Sequence, residues 1–124
     1  MNPAVLYNFN DTIRLSKLKH SEVSVIYNGI ILYILSHLEN VSCIYKIEPN
    51  TLKNLSILQC IASKKLYKMY YDRTPNKKFS LKLSINEAIS LKDFLMEYKN
   101  TIHNDNYTKN IIEIHKNNLC KQLV

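Results

Sequence analysis

The 124-residue chain alternates between two hydrophobic rhythms. Period-two alternation marks half-buried strands, and recurrence at i, i+3, i+4 marks one face of a helix. Residues 12–18, TIRLSKL, alternate Ile13 and Leu15 against Arg14 and Ser16, then slip near Lys17. They predict a short strand. Residues 41–48 alternate Val41, Cys43, Tyr45 and Ile47 and predict another, ended by Pro49 and Asn50.

Residues 21–39 offer two readings. Val23, Ile26, Tyr27, Ile30, Ile34, Leu35 and Leu38 fall on one helical face. Asn28-Gly29 is also a strong turn signal between apolar runs, which would make a hairpin. A mid-helix Gly costs about 1 kcal/mol against Ala. The apolar face runs unbroken across it, and Ser21-Glu22 suits a helix start. The helix is the expectation here, with Gly29 allowing another element to approach closely. Thr51 opens a further helix to about residue 62, with Leu52, Leu55, Leu58 and Ile61 as its stripe.

Residues 64–83 read as a hairpin. Tyr67, Met69 and Tyr71 alternate against Lys68 and Tyr70, and Asp72-Arg73-Thr74-Pro75-Asn76 supplies turn chemistry. Phe79, Leu81 and Leu83 then alternate against Lys78, Ser80 and Lys82. The predicted strands are 65–72 and 78–83. Ser84-Ile85-Asn86-Glu87 follows as a capping box, in which Ser and Glu satisfy each other's backbone N–H. It opens a helix to about residue 100, with Ala88, Leu91, Leu95 and Tyr98 inward. After a loop at 103–106, residues 107–120 form a last helix on Ile111, Ile114 and Leu119. Leu18-x-x-x-Glu22-Val23 and Leu83-x-x-x-Glu87-Ala88 echo each other where strand passes to helix; Ile26 matches Leu91 and Ile30 matches Leu95.

These elements predict one α+β domain over residues 1–124. An antiparallel sheet of about four strands is covered by about four helices, with a basic β-hairpin followed by a capped helix. The length fits one domain, and the 46% apolar content suffices for a core.

Charge sharpens the picture. The net charge is +7, but 15 Lys against 2 Arg, with Asn, Lys, Ile and Tyr making 54 residues, has the look of an AT-rich genome, such as a low-GC bacterium, a phage or another virus. That bias raises Lys without selection for a polyanion. Its distribution is less even than bias alone would give. Residues 61–83 carry seven cations and one acid, net +6, while residues 84–106 are net −2. Lysines that neutralise phosphates, interleaved with aromatics that stack on bases, mark nucleic-acid surfaces. The candidate interface is Lys64, Lys65, Lys68, Tyr70, Arg73, Lys77, Lys78 and Lys82, with Tyr70 as the stacking residue. The competing explanation is a strand pair whose edge lysines only deter aggregation. Scarce Arg favours backbone contacts over base-edge readout.

Enzyme chemistry finds no footing. A single Gly excludes P-loops, dinucleotide fingerprints and nucleophile elbows. The four histidines and Cys43, Cys60 and Cys120 match no zinc spacing, so no metal or cofactor is expected. Asp93 and Glu97 share a helical face beside Lys92 and Lys99, as a solvated face would. Three scattered cysteines fit a reducing compartment. No signal peptide is visible, and the run VSVIYNGIILYILSHL is too short and interrupted to span a bilayer. The expected function is a small, non-enzymatic, cytoplasmic binding protein whose partner is nucleic acid, with no membrane and no small-molecule substrate. The alternative is an interaction subunit of a larger assembly, phage or viral, or an inhibitor of a host factor.

Overall fold

A computed structural model describes residues 12–39, 48–101 and 105–124. In chain order the elements are β1 (Ile13–Leu18), α1 (His20–Glu39), α2 (Pro49–Ile61), β2 (Phe79–Leu83), α3 (Ile85–Thr101) and α4 (Asn106–Leu123). A π-helical turn, Ala62–Leu66, and a closing α-helical turn, Tyr67–Tyr70, prolong α2 without a break. The class is α+β, as expected. The sheet is smaller than expected: two antiparallel strands among the described residues, not about four. The predicted strand 41–48 lies outside the described residues but for Glu48, and residues 103 and 104 of the predicted loop 103–106 lie outside them as well.

The first arm of the predicted hairpin is corrected. Residues 62–70 are helical, so β2 pairs with β1 across about sixty residues of chain. The physical reason lies in the core. Leu58, Ala62 and Leu66 recur every four residues and are fully or almost fully buried, and half-buried Tyr70 extends the row. On a regular α-helix such a row drifts about 40° per step. The wider π turn, in which Tyr67 N–H donates to the Ala62 carbonyl, absorbs the drift. The alternation of Tyr67, Met69 and Tyr71 is incidental, since Tyr67 and Tyr71 are both exposed.

The second arm stands. Phe79, Leu81 and Leu83 are buried and Ser80 and Lys82 exposed. The preceding turn has Pro75 and then Asn76 at φ 60°, with Lys77 N–H donating to the Thr74 carbonyl, as a type II turn requires. In β1, Ile13, Leu15 and Leu18 face inward. The anticipated slip is a bulge between Leu15 and Leu18, with Lys17 at φ 56°.

Residues 20–39 are helical. Gly29 has no positive φ; its absent Cβ makes room for Tyr98 of α3, whose ring carbon Cε2 lies 2.5 Å from where that Cβ would stand. The helix is also longer than the apolar run suggested. By length and composition alone His20–Leu38 is long and apolar enough to cross a membrane. Its Val23, Ile26 and Ile30 are core residues, while Leu32, Leu35 and Leu38 are exposed.

The two strand-to-helix junctions match in detail. Ser84 N–H donates to Glu87 Oε1 at 2.8 Å, and Lys19 N–H donates to Glu22 Oε1 at 3.1 Å. Glu87 N–H returns a bond to Ser84 Oγ at 3.2 Å, completing the capping box. Ile26, Leu91, Ile30 and Leu95 are all fully buried. Glu22 serves a second purpose: its Oε2 meets Nε2 of the buried His115 at 2.5 Å, which ties α4 to the start of α1. The last helix starts at the Asp105 cap, where Thr108 N–H donates to Oδ1.

A candidate nucleic-acid interface around the strand pair

The outer face of the sheet is built by the strand periodicity itself. With Ile13, Leu15, Leu81 and Leu83 inward, Arg14 and Lys82 point out, and the register sets them directly opposite each other. Ser16, Lys17 and Ser80 complete the face, and neither strand carries an acid. Lys78 is exposed just before β2. Opposed side chains in an antiparallel pair stand about 5 Å apart at Cβ, and like charges there are destabilising. Arg14 and Lys82 have no side-chain ion-pair partner among the described residues.

The backbone edges of this face are already occupied. Arg14 N–H donates to Gln122 Oε1 at 3.0 Å, and Gln122 Nε2 donates to the Arg14 carbonyl at 2.8 Å. On the other edge Lys65 Nζ donates to the Lys82 carbonyl at 2.8 Å and to Glu87 Oε1 at 2.7 Å. Bonds of this kind leave less bare edge for another chain to pair with.

The eight residues expected from sequence divide into three groups. Lys64, Lys68, Arg73, Lys78 and Lys82 are exposed and have no side-chain ion pair among the described residues. Two are engaged inside the protein. Lys65 holds Lys82 and Glu87 as above, and Lys77 Nζ meets Asp72 Oδ2 at 2.6 Å. Tyr70 is the third case. It is half-buried, stacked on Tyr27 with ring centroids 4.6 Å apart, and its carbonyl accepts from His20 Nε2 at 2.7 Å. It is not placed as a free stacking platform beside Lys68, Lys78 and Lys82, because helical geometry turns it toward α1. Arg14 and Lys17 are the additions that sequence reasoning missed. Their signal was present in the alternation of β1, but it became legible only once β1 was known to lie beside β2.

The local acids are neutralised by the same lysines. Asp72 is held well below the usual carboxylate range, chiefly by the Lys77 bond and also by Thr74. Burial pushes Glu87 up, but the Lys65 bond, the Ser84 N–H and the Lys65 charge outweigh it and lower its pKa. Both acids are therefore anions paired with Lys65 and Lys77, and the other cations of residues 61–83 have no side-chain ion pair among the described residues. On α3, Asp93 is exposed beside Lys92, and Glu97 accepts from the Tyr33 hydroxyl at 2.7 Å.

The helical extension is joined to the strand face through Lys65. Lys64 and Lys68 stand on it one helical turn apart, so the exposed cations run from Lys68 past the Lys65–Lys82 link to Arg14. No family model matches the chain, and no curated protein or solved structure matches it either.

Proposed function

We propose that this chain is a small, non-enzymatic protein that binds nucleic acid through its phosphate backbone, using the outer face of the strand pair. The observation that carries the reading is the direct opposition of Arg14 and Lys82 on an acid-free face. Such a pair weakens the fold, and it gains a favourable partner when a polyanion lies over it. Lys78 and Lys17 widen the same face, and Lys64, Lys68 and Arg73 surround it. Lys predominates, and charge contact with phosphates needs no base-edge geometry.

The test is fluorescence anisotropy with labelled single- and double-stranded DNA and RNA across a salt series. Three phosphate contacts give a slope of log affinity against log salt of about 2 to 3 in magnitude. Changing Arg14, Lys78 and Lys82 together to Ala removes most of that slope and leaves the fold intact, since these side chains face water. Wild-type protein that binds none of the four ligands at low salt overturns the reading. That result would favour the assembly alternative, for which the exposed Leu32, Leu35 and Leu38 along α1 speak.

A further inference from the structure

The lysines of the helical extension do not stand alone. Tyr67 and Tyr71 are 50% and 57% exposed, and their ring centroids lie 4.7 Å apart. On helical geometry Lys64, Tyr67, Lys68 and Tyr71 fall within a sector of roughly 100°. Two cations therefore share one surface with two tyrosine rings that are about half exposed. The rings are braced from behind. Tyr71 meets Tyr70 edge-on at 5.0 Å, and Tyr70 stacks on Tyr27. Tyr27 is pushed above the usual tyrosine pKa by burial and by its tyrosine neighbours, as expected of a packed ladder. Beside Tyr67 lies a groove of about 350 Å³ lined by Tyr27, Ile31, Gln59, Ala62, Ser63 and Tyr67. It is mostly apolar, with Gln59 and Ser63 at its polar side. The one acid of the stretch, Asp72, is held by Lys77 and Thr74.

We infer that this surface takes the bases of a single strand: Tyr67 and Tyr71 stack them, one base enters the groove beside Tyr67, and Lys64 and Lys68 hold the flanking phosphates. The inference rests on the proposed backbone binding and adds strand selectivity to it. In a duplex the bases are stacked on one another and offer no open face. A single strand offers one at every nucleotide, and stacking tolerates any base sequence. Charge complementarity favours this occupant over an apolar peptide, which would leave Lys64 and Lys68 without counter-charge.

The test compares oligothymidylate, a duplex of equal length and an abasic phosphodiester of equal length on the full chain. Wild-type protein binds oligothymidylate most tightly. Tyr67→Ala with Tyr71→Ala lowers that affinity by about 30-fold or more, the loss of two stacked bases. It leaves duplex affinity and the salt slope unchanged. Tyr67→Phe with Tyr71→Phe keeps the rings and retains binding. The chain has no Trp, so Tyr67→Trp gives a single tryptophan, excited selectively over the remaining tyrosines, whose emission is quenched by oligothymidylate and not by the abasic chain. Equal affinity for all three ligands, unmoved by the Ala pair, overturns the stacking inference and leaves backbone binding standing. Binding to none of them removes both.

Discussion

Residues 21–39 and 64–83 both carry a turn signal between apolar runs; the sequence predicts a helix for the first and a hairpin for the second. In the first, Asn28-Gly29 looked like a turn, yet the chain is helical throughout. In the second, a real turn at 74–77 precedes a real strand, but the segment before that turn is helix. A turn signal thus says where the chain bends and nothing about what enters the bend. What decides the entering segment is the spacing of the residues that reach the core. Leu66 is out of phase with any strand that buries Tyr67, Met69 and Tyr71, and it is fully buried.

The sharpest way to break this comparison is Leu66→Ala. On the helix Leu66 is a core residue, and truncation costs about 2–5 kcal/mol of unfolding free energy. On a strand it would share the solvent face with Lys68 and Tyr70, and the loss would be near zero. Chemical denaturation distinguishes the two outcomes directly.

Gly29→Ala probes the other region. In a hairpin turn the Gly would need a positive φ, whereas here it has helical backbone and the obstacle is the Tyr98 ring. Crowding of this kind costs about 1–3 kcal/mol, and Ala returns about 1 kcal/mol of helix propensity. The net expectation is a loss of about 1 kcal/mol. In a Tyr98→Ala background the clash is gone, and the same substitution becomes stabilising. Destabilisation that persists without Tyr98 would contradict the contact as its cause.

Much of the fold was legible because local rules and the core agreed. The strands at 13–18 and 79–83, the bulge near Lys17, the capping box and the helices after it all follow from short-range periodicity. The site was less legible. Sequence separation hid the pairing of β1 with β2, and so it hid Arg14 and Lys17. Assigning residues 65–72 to a strand also set the wrong tyrosine on the more exposed side of the segment. Strand parity put Tyr70 beside the lysines; helical phase half-buries it against α1 and exposes Tyr67 and Tyr71. Nor could charge counting separate Lys65 and Lys77, which have internal acids, from Lys78 and Lys82, which have none.

Lys65 links the two arms of the basic stretch, so removing its charge sharpens their difference. Lys65→Met deletes the bonds to the Lys82 carbonyl and Glu87 and keeps most of the packing. Each charged bond is worth more than a neutral one, but a third of the side chain is exposed, and solvent keeps the expected loss near about 1 kcal/mol. The pH dependence carries the signature. Glu87 has its pKa lowered in the folded protein, so its contribution is full above the ordinary value of 4.5 and is lost as pH falls through the lowered value. In Lys65→Met that acid limb flattens. A limb of unchanged steepness in thermal melts would show that Lys65 does not set the Glu87 titration.

The smallest expected effect bears most on function. If Arg14 and Lys82 repel across the strands, Lys82→Glu replaces a like pair by an opposite pair. Cross-strand pairs of this kind contribute about 0.2–1 kcal/mol, so the variant should be slightly more stable at low salt. The gain should shrink as added salt screens the exposed charges. The same change places an anion at the centre of the proposed phosphate face. Oligonucleotide affinity should fall, and the salt slope should lose about one contact's worth, roughly 0.7 to 0.9. A lysine that served only to deter edge aggregation would show a different pattern: no change in affinity, because there would be no binding to lose. Stability up and binding down in one variant would mean that the face carries its repulsion for a ligand. Stability unchanged or lower would mean that the pair is already relaxed by solvent, and the central observation behind the proposed function would lose its weight.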